Sequence, residues 1–267
     1  MLKYPDIDPI AVDFGIIKIH WYGISYVVGI LLAWWLLHRR SKTIYLDWTR
    51  EQVADVIFYI TLGIILGGRL GSVLFYNLPY YLNHPLEIIM INKGGMSFHG
   101  GLIGVCIALW IFGRGQGKRF FTVTDFVAPA APVGLFFGRL ANFVNGELWG
   151  RPTDLPWAMI FPRADNQPRH PSQLYEAFLE GIVLFTILWL YSRKPKPVMA
   201  VSGMFLTFYG LFRGSVEWVR QPDQQLGFLA GGWLTMGMLL SFPMFIAGIV
   251  LLVLAYRRKQ GETAIGE

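Results

Sequence analysis

Seven long apolar runs alternate with short polar stretches along nearly the whole of this 267-residue chain. They cover about residues 20–38, 53–76, 95–113, 122–144, 173–192, 199–219 and 233–256. A hydrocarbon core of about 30 Å takes about 20 apolar residues per helix to cross, and each run is close to that length. The pattern predicts an all-α integral membrane protein with seven transmembrane helices. The nineteen residues before the first run are mixed and are expected at the interface. No basic segment with a small-x-small cleavage site precedes the first run, so no cleavable signal peptide is expected.

Composition agrees. Hydrophobic residues make up 54% of the chain and charged residues only 15%, against roughly 25% charged in soluble domains. No linker, low-complexity tract or tandem repeat divides the sequence, so a single polytopic domain over residues 1–267 is expected. The only cysteine is Cys106, which excludes an internal disulfide and a cysteine-based metal site. Its apolar neighbours mark it as a packing residue.

The basic residues set an orientation. One set of flanks carries thirteen: Arg39, Arg40, Lys42, Arg50, Arg114, Lys118, Arg119, Arg193, Lys194, Lys196, Arg257, Arg258 and Lys259. The other carries seven: Lys3, Lys18, Lys93, Arg151, Arg163, Arg169 and Arg220. The positive-inside rule then places the N-terminus outside and the C-terminus inside. The net charge of +6 is mostly this topology signal, so nucleic-acid binding is not expected. The inner loop "GRGQGKR" (113–119) has phosphate-friendly residues, but Phe112 and Arg119 stand where a P-loop needs glycine and Ser or Thr. It reads as a positive-inside loop.

The remaining three of the 23 basic residues, Arg69, Arg139 and Arg213, fall inside predicted spans. An arginine at a helix centre costs about 2.5–3.5 kcal/mol on insertion scales, so each needs a partner or a task. With the orientation above, all three lie in the outer half of their spans, as do His20, Tyr22, Tyr26, His99, Glu176 and Glu180. Arg139, Asn142 and Asn145 recur every three residues on one helix face; Tyr209, Arg213 and Glu217 recur every four on another. Arg213 and Glu217 read either as a self-neutralising pair or as cavity lining, and Arg69 either snorkels or joins the site.

Gly100, Gly101 and Gly104 are small residues at helical spacing, suited to close approach of two membrane helices. That leaves His99. Beside three arginines a neutral imidazole, able to accept a proton, is the expected state.

The chain resembles bacterial prolipoprotein diacylglyceryl transferases from end to end. The resemblance rests on "HWYG" (20–23), "HGGLIG" (99–104), "GRLANFVNGELWGR" (138–151), "RHPSQLYE" (169–176) and "YGLFRGSVEWVRQPD" (209–223), in the expected order. It implies seven spans with the N-terminus outside, the bacterial inner membrane, and no cofactor or metal. It also implies the reaction: the diacylglyceryl group of phosphatidylglycerol passes to the lipobox cysteine of an exported prolipoprotein, giving a thioether and glycerol phosphate. Catalytic residues implied are His99, Arg139, Arg213 and Tyr22; substrate contacts are Arg139, Asn142, Asn145, Glu147, Gly150, Tyr209 and Glu217, with Arg69 added for its depth. Whether His99 takes the thiol proton or orients the lipid stays open, as does whether Glu147 pairs with Arg139 or Arg151.

The outer loop from Gly146 to Pro171 is either an ordered cap or a plain connector, with His170 ranking below His99. A different class, an anion or lipid transporter, would also bury arginines in a bundle. It predicts polar residues through the full membrane depth, and the inner halves of these spans are almost entirely apolar.

Overall fold

A computed structural model describes all residues except 1, 6, 16–17, 46, 91–93, 223–226, 230 and 266–267, and the side chains of 259–265. Lys93 and the motif residue Asp223 therefore lie outside the described residues, as does the side chain of Lys259. The chain opens with three short strands, β1 (Leu2–Lys3), β2 (Ile10–Asp13) and β3 (Lys18–His20). Helices α1 (Trp21–Thr43), α2 (Arg50–Phe75), α3 (Leu78–Asn83), α4 (Phe98–Gly115), α5 (Phe120–Val127) and α6 (Ala131–Val144) follow. Strands β4 (Met159–Ile160) and β5 (Pro168–Arg169) precede α7 (Ser172–Glu176), α8 (Leu184–Tyr191), α9 (Ala200–Val216) and α10 (Met236–Ile265).

The protein is mostly helical, as expected. Six helical segments are long and apolar enough to cross a membrane: 21–43, 50–75, 98–115, 120–144, 172–191 and 236–258. The sixth predicted span, 199–219, is the one not among them: it forms α9, a helix of 17 residues, because the chain turns at Glu217. Two spans are not uniform α-helix. A 3-10 turn at Ala128–Ala130, around Pro129, joins α5 to α6, and a π-helical stretch at Ala177–Val183 joins α7 to α8.

The chain forms two compact units, residues 37–124 and residues 1–36 with 125–267. In the first, α2 and α4 pack through glycine. A Cβ on Gly71 would lie 2.6 Å from the Gly100 Cα, one on Gly67 2.7 Å from the Gly104 Cα, and one on Gly63 2.7 Å from the Gly104 carbonyl oxygen. The glycine rows Gly63, Gly67, Gly71 and Gly100, Gly104 are spaced by four, so each forms one face, and the backbones touch. Gly101 points elsewhere, with only the Ile64 oxygen at 3.7 Å. Thr49 and Gln52 form a capping box on α2, and the Ser97 hydroxyl accepts from the Gly100 N–H to cap α4.

The second unit has its core at Ala128, Leu184, Leu188, Val201 and Tyr209. Here α9 and α10 also pack through glycine: a Cβ on Gly210 would meet the Phe245 nitrogen at 2.8 Å, and one on Gly203 the Gly248 oxygen at 2.9 Å. The start of α9 is capped from another helix. Buried Asp125 accepts from the N–H groups of Met199 and Ser202 and from the Ser202 hydroxyl, at 2.6–2.7 Å. The loop from Gly146 to Pro171 is ordered: β4 pairs with β5 antiparallel and with β1 in parallel, so the N-terminal segment joins the loop in one small sheet. Tyr4 donates to the carbonyls of Phe143 and Val144, closing the end of α6.

The glycine rows make a direct test. Gly100→Ala forces apart two backbones in contact and is expected to cost about 1–3 kcal/mol, read as a lower thermal midpoint of the purified protein. Gly101→Ala, one residue along, is expected to leave the midpoint unchanged.

Candidate active site

Arg139 on α6 and Arg213 on α9 meet at one buried carboxylate. Glu176, fully buried at the end of α7, places Oε2 2.9 Å from Arg139 Nε and Oε1 2.8 Å from Arg213 Nη1. Around this pivot the charges alternate. Arg139 Nη2 reaches Glu180 Oε2 at 3.3 Å, Arg213 Nη2 reaches Glu217 Oε1 at 2.5 Å, and Arg220 Nη1 reaches the same Glu217 oxygen at 3.3 Å. Three arginines face three glutamates, so the cluster is neutral as a set. That is how charge survives burial: an unpaired ion there would cost several kcal/mol.

Local structure explains the positions. The π-helical stretch widens the helix just after Glu176 and carries Glu180 toward Arg139. Gly181 permits this, because a Cβ there would lie 2.7 Å from the Phe136 Cβ, one turn before Arg139 on α6. Glu217 is held from its far side by the Thr235 hydroxyl, 2.5 Å from Oε2, and Gly237 leaves room for the carboxylate.

The arginines are not spent. Their side chains keep 16% and 15% of their surface exposed while the partner carboxylates keep 0–1%. Among the described residues neither Arg139 Nη1 nor Arg213 Nε makes a hydrogen bond, so each guanidinium keeps one N–H donor outside the carboxylate contacts. Glu180 Oε1 likewise has no hydrogen-bond partner among the described residues. Tyr209 is buried within electrostatic range of Arg139, Arg213, Glu176 and Glu180.

The 142–151 motif folds as a tight turn. Glu147 pairs with neither Arg139 nor Arg151; its Oε1 accepts from Asn142 Nδ2 at 2.8 Å and from Asn145 Nδ2 at 3.4 Å. Gly146 and Leu148 take left-handed φ of 61° and 57° to make the turn. Gln173 and Ser172 donate to the carbonyls of Glu147 and Leu148. Gly150 is a packing requirement and no side-chain contact: a Cβ there would lie 2.5 Å from the His170 Cβ and 2.7 Å from the Val219 oxygen. Arg151 donates to the carbonyls of Glu217 and Arg220, tying the turn to the end of α9. On α1, Tyr22 is half-buried beside Tyr26, with hydroxyls 3.4 Å apart, and Tyr26 lies within electrostatic range of Arg139 and Glu147.

His99 and Arg69 belong to the other unit. His99 is the second residue of α4 and exposed; its ring packs edge-on against Phe98 and makes no hydrogen bond among the described residues. Arg69 neither snorkels nor opens onto a site. It is buried, stacks over the Tyr81 ring at 5.2 Å, and donates to the carbonyls of Glu87, Ile88, Met90, Gly94 and Gly95. It fastens residues 87–90 and 94–95, between α3 and α4, so its place in the substrate set is not supported by its surroundings.

Two further expectations change. Arg220, counted with the outer flank, is buried in the ionic cluster. Cys106 is exposed on α4 and is no core residue. His170 sits in the outer loop with Nδ1 3.2 Å from the Tyr175 hydroxyl, and partial burial holds its imidazole below the usual histidine range. Nearby, hydrogen bonds from Arg169 keep the Asp165 carboxyl below the usual carboxylate range. Glu176, Glu180 and Arg220 are the residues that sequence reasoning left out of the site. Glu176 and Glu180 carried a usable signal, being buried acids at the same predicted depth as the arginines.

Two guanidinium groups held by buried carboxylates, each with an N–H outside those contacts, suit the binding of an anion such as a carboxylate or phosphate. A family model for prolipoprotein diacylglyceryl transferase matches residues 9–254. A phosphatidylglycerol–prolipoprotein diacylglyceryl transferase of Azotobacter vinelandii is 57% identical over 260 residues, covering 97% of this chain and 98% of its own. One from Pseudomonas aeruginosa is 57% identical over 262 residues, with 98% of each chain covered. One from Pseudomonas fluorescens is 58% identical over 263 residues, with 97% of each covered. The match passes through every helix that carries the ionic cluster, and this chain belongs to the prolipoprotein diacylglyceryl transferase family.

Proposed function

We propose that the protein transfers the diacylglyceryl group of phosphatidylglycerol to the lipobox cysteine thiol of an exported prolipoprotein. The sulfur forms a bond to the glycerol carbon that carries the phosphate, the carbon–oxygen bond breaks, and glycerol phosphate leaves. The observation that carries this reading is the pivot at Glu176, which fixes Arg139 and Arg213 from two helices while their side chains keep 16% and 15% of their surface exposed. The two guanidinium groups hold the phosphodiester in the ground state and take the added charge as the leaving group forms. Names of the relatives supply the two substrates; the reading extends them to this chain.

Tyr209 and Glu217 act within the same cluster, Glu217 by holding Arg213. Tyr22 presents its hydroxyl to the headgroup region. Asn142 and Asn145 work through Glu147, with amide donors directed at its carboxylate, so their contribution is to the shape of the 142–151 turn. His99 is assigned the thiol proton: it is exposed, and its ring nitrogens are uncommitted among the described residues. A thiol attacks as thiolate, so an acceptor for its proton is required. No metal or cofactor enters the reaction as proposed.

The family match runs through both compact units, which supports one polytopic domain. The charge asymmetry of the flanks supports an outward N-terminus and inward C-terminus, and the burial of Arg220 sharpens it by removing a cation from the outer set. With α9 as a seventh membrane element, the site faces the outer side of the bacterial inner membrane, where exported prolipoproteins present their cysteine.

The test is mass spectrometry of a lipobox peptide with one cysteine, incubated with the purified protein and phosphatidylglycerol. A gain of one diacylglyceryl group on sulfur, with glycerol phosphate released and no reaction without the lipid, is expected. An unmodified peptide from folded protein contradicts the reading. In the same assay His99→Ala is expected to lose at least about 100-fold in rate while still inserting, the lower end for a general base. Parent-like turnover removes His99 from the proton step.

A further inference from the structure

The inner loop "GRGQGKR" is not a P-loop, yet the structure gives it a shape that a plain topology signal does not need. Lys118 N–H donates to the Gly113 carbonyl at 2.8 Å and Gly117 takes a φ of 63°, so the chain folds back at once from α4 into α5. Close approach at Gly113 is enforced, since a Cβ there would lie 2.8 Å from the Lys118 oxygen. The turn borders a shallow, open pocket of about 330 Å³ lined by Arg114, Lys118 and Arg119, with Trp110 and Phe120 beside them.

Two of these cations are held in place. The Arg114 guanidinium lies 4.6 Å from the centre of the Trp110 ring. Lys118 Nζ lies 2.9 Å from Asp47 Oδ2 and 4.8 Å from the centre of the Trp48 ring, which itself stacks on Phe112. Arg119 makes no ion pair among the described residues and is exposed. Three cations against one carboxylate leave the pocket net positive, and holding them beforehand lowers the ordering cost of binding an anion.

The neighbourhood says which anion. Ile103, Ile107, Trp110, Ile111 and Arg114 fall on one stripe of α4, and the four apolar members are 46–52% exposed. The stripe is apolar along its length and ends in the cationic pocket, the polarity profile of a phospholipid lying along the helix. A soluble phosphate would have no use for it.

We propose that the pocket at the α4–α5 turn binds the phosphate of an anionic membrane phospholipid whose acyl chain lies along the exposed stripe of α4, a site built from none of the residues assigned to the transfer reaction. Basic pockets beside membrane helices take anionic headgroups by this combination of charge and apolar contact. By the charge asymmetry of the flanks, the lipid belongs to the inner leaflet.

Lipid binding to the full-length protein in detergent, measured by native mass spectrometry with phosphatidylserine and with phosphatidylcholine, tests the site. Arg114→Gln/Arg119→Gln is expected to weaken phosphatidylserine binding about thirtyfold, the worth of two cations at an anionic surface. Phosphatidylcholine binding, thermal midpoint and peptide transfer are expected to stay at parent values. Unchanged phosphatidylserine binding overturns the proposal, as does an equal loss for both lipids. Displacement of the lipid by free glycerol phosphate overturns it in favour of a soluble-anion site. Should the double variant fail to fold, Arg119→Gln alone gives the same reading with about a fivefold expected loss.

Discussion

The arrangement of the larger unit depends on a single buried carboxylate. Glu176 has no exposed surface and is ion-paired with two arginines from two different helices, so α6, α7 and α9 are bound to one another through it. Removing one partner of such a set leaves a stranded charge, at a cost of about 3–5 kcal/mol. The neighbouring features follow from keeping this carboxylate and its partners in register. The π-helical stretch and the gap at Gly181 carry Glu180 to Arg139, Gly237 makes space for Glu217, and Arg151 ties the outer turn to the carbonyls where α9 ends.

The same network changes what the arginines offer a substrate. Read alone, three intramembrane arginines suggest a strongly positive cavity that would repel a protonated histidine. Arg139 and Arg213 are neutralised by Glu176, Glu180 and Glu217, and Arg69 is occupied by backbone carbonyls. Under the proposed function, what the pair offers a phosphodiester is geometry: two planar guanidinium groups fixed by buried carboxylates, with Arg139 Nη1 and Arg213 Nε making no hydrogen bond among the described residues. Planar, preset donors suit a leaving phosphate because nothing has to reorganise as charge develops.

Much of the fold was legible because membrane spans announce themselves by length and composition. Helical spacing also identified Gly100 and Gly104 as packing residues, and of the two readings the four-residue spacing left open for Arg213 and Glu217, the ion pair is formed. It could not pair Arg139 with Glu176 or Arg213 with Glu176, because those contacts cross 37 residues of chain and periodicity reads only along one helix. Arg220 looked like a flank residue since it follows the apolar run, yet the turn after α9 folds it inward. Glu147 and Gly150 were marked by their motif, but a motif states that a residue matters and not what it touches. Asn142 and Asn145, read as headgroup contacts, turn out to brace Glu147. The shortness of α9 and the π-helical stretch were illegible for a simpler reason: neither changes the hydrophobic pattern.

The central claim is that one carboxylate makes Arg139 and Arg213 a single phosphate-holding unit. The direct test is a double-mutant cycle on kcat/KM for phosphatidylglycerol, using Arg139→Lys, Arg213→Lys and the pair, each checked for parent-like folding. Lysine keeps the charge and removes the fork. The account predicts that the two losses do not add, with a coupling of at least about 0.5 kcal/mol, as for groups in one ionic network. Losses that add within measurement error would show two independent arginines and contradict it.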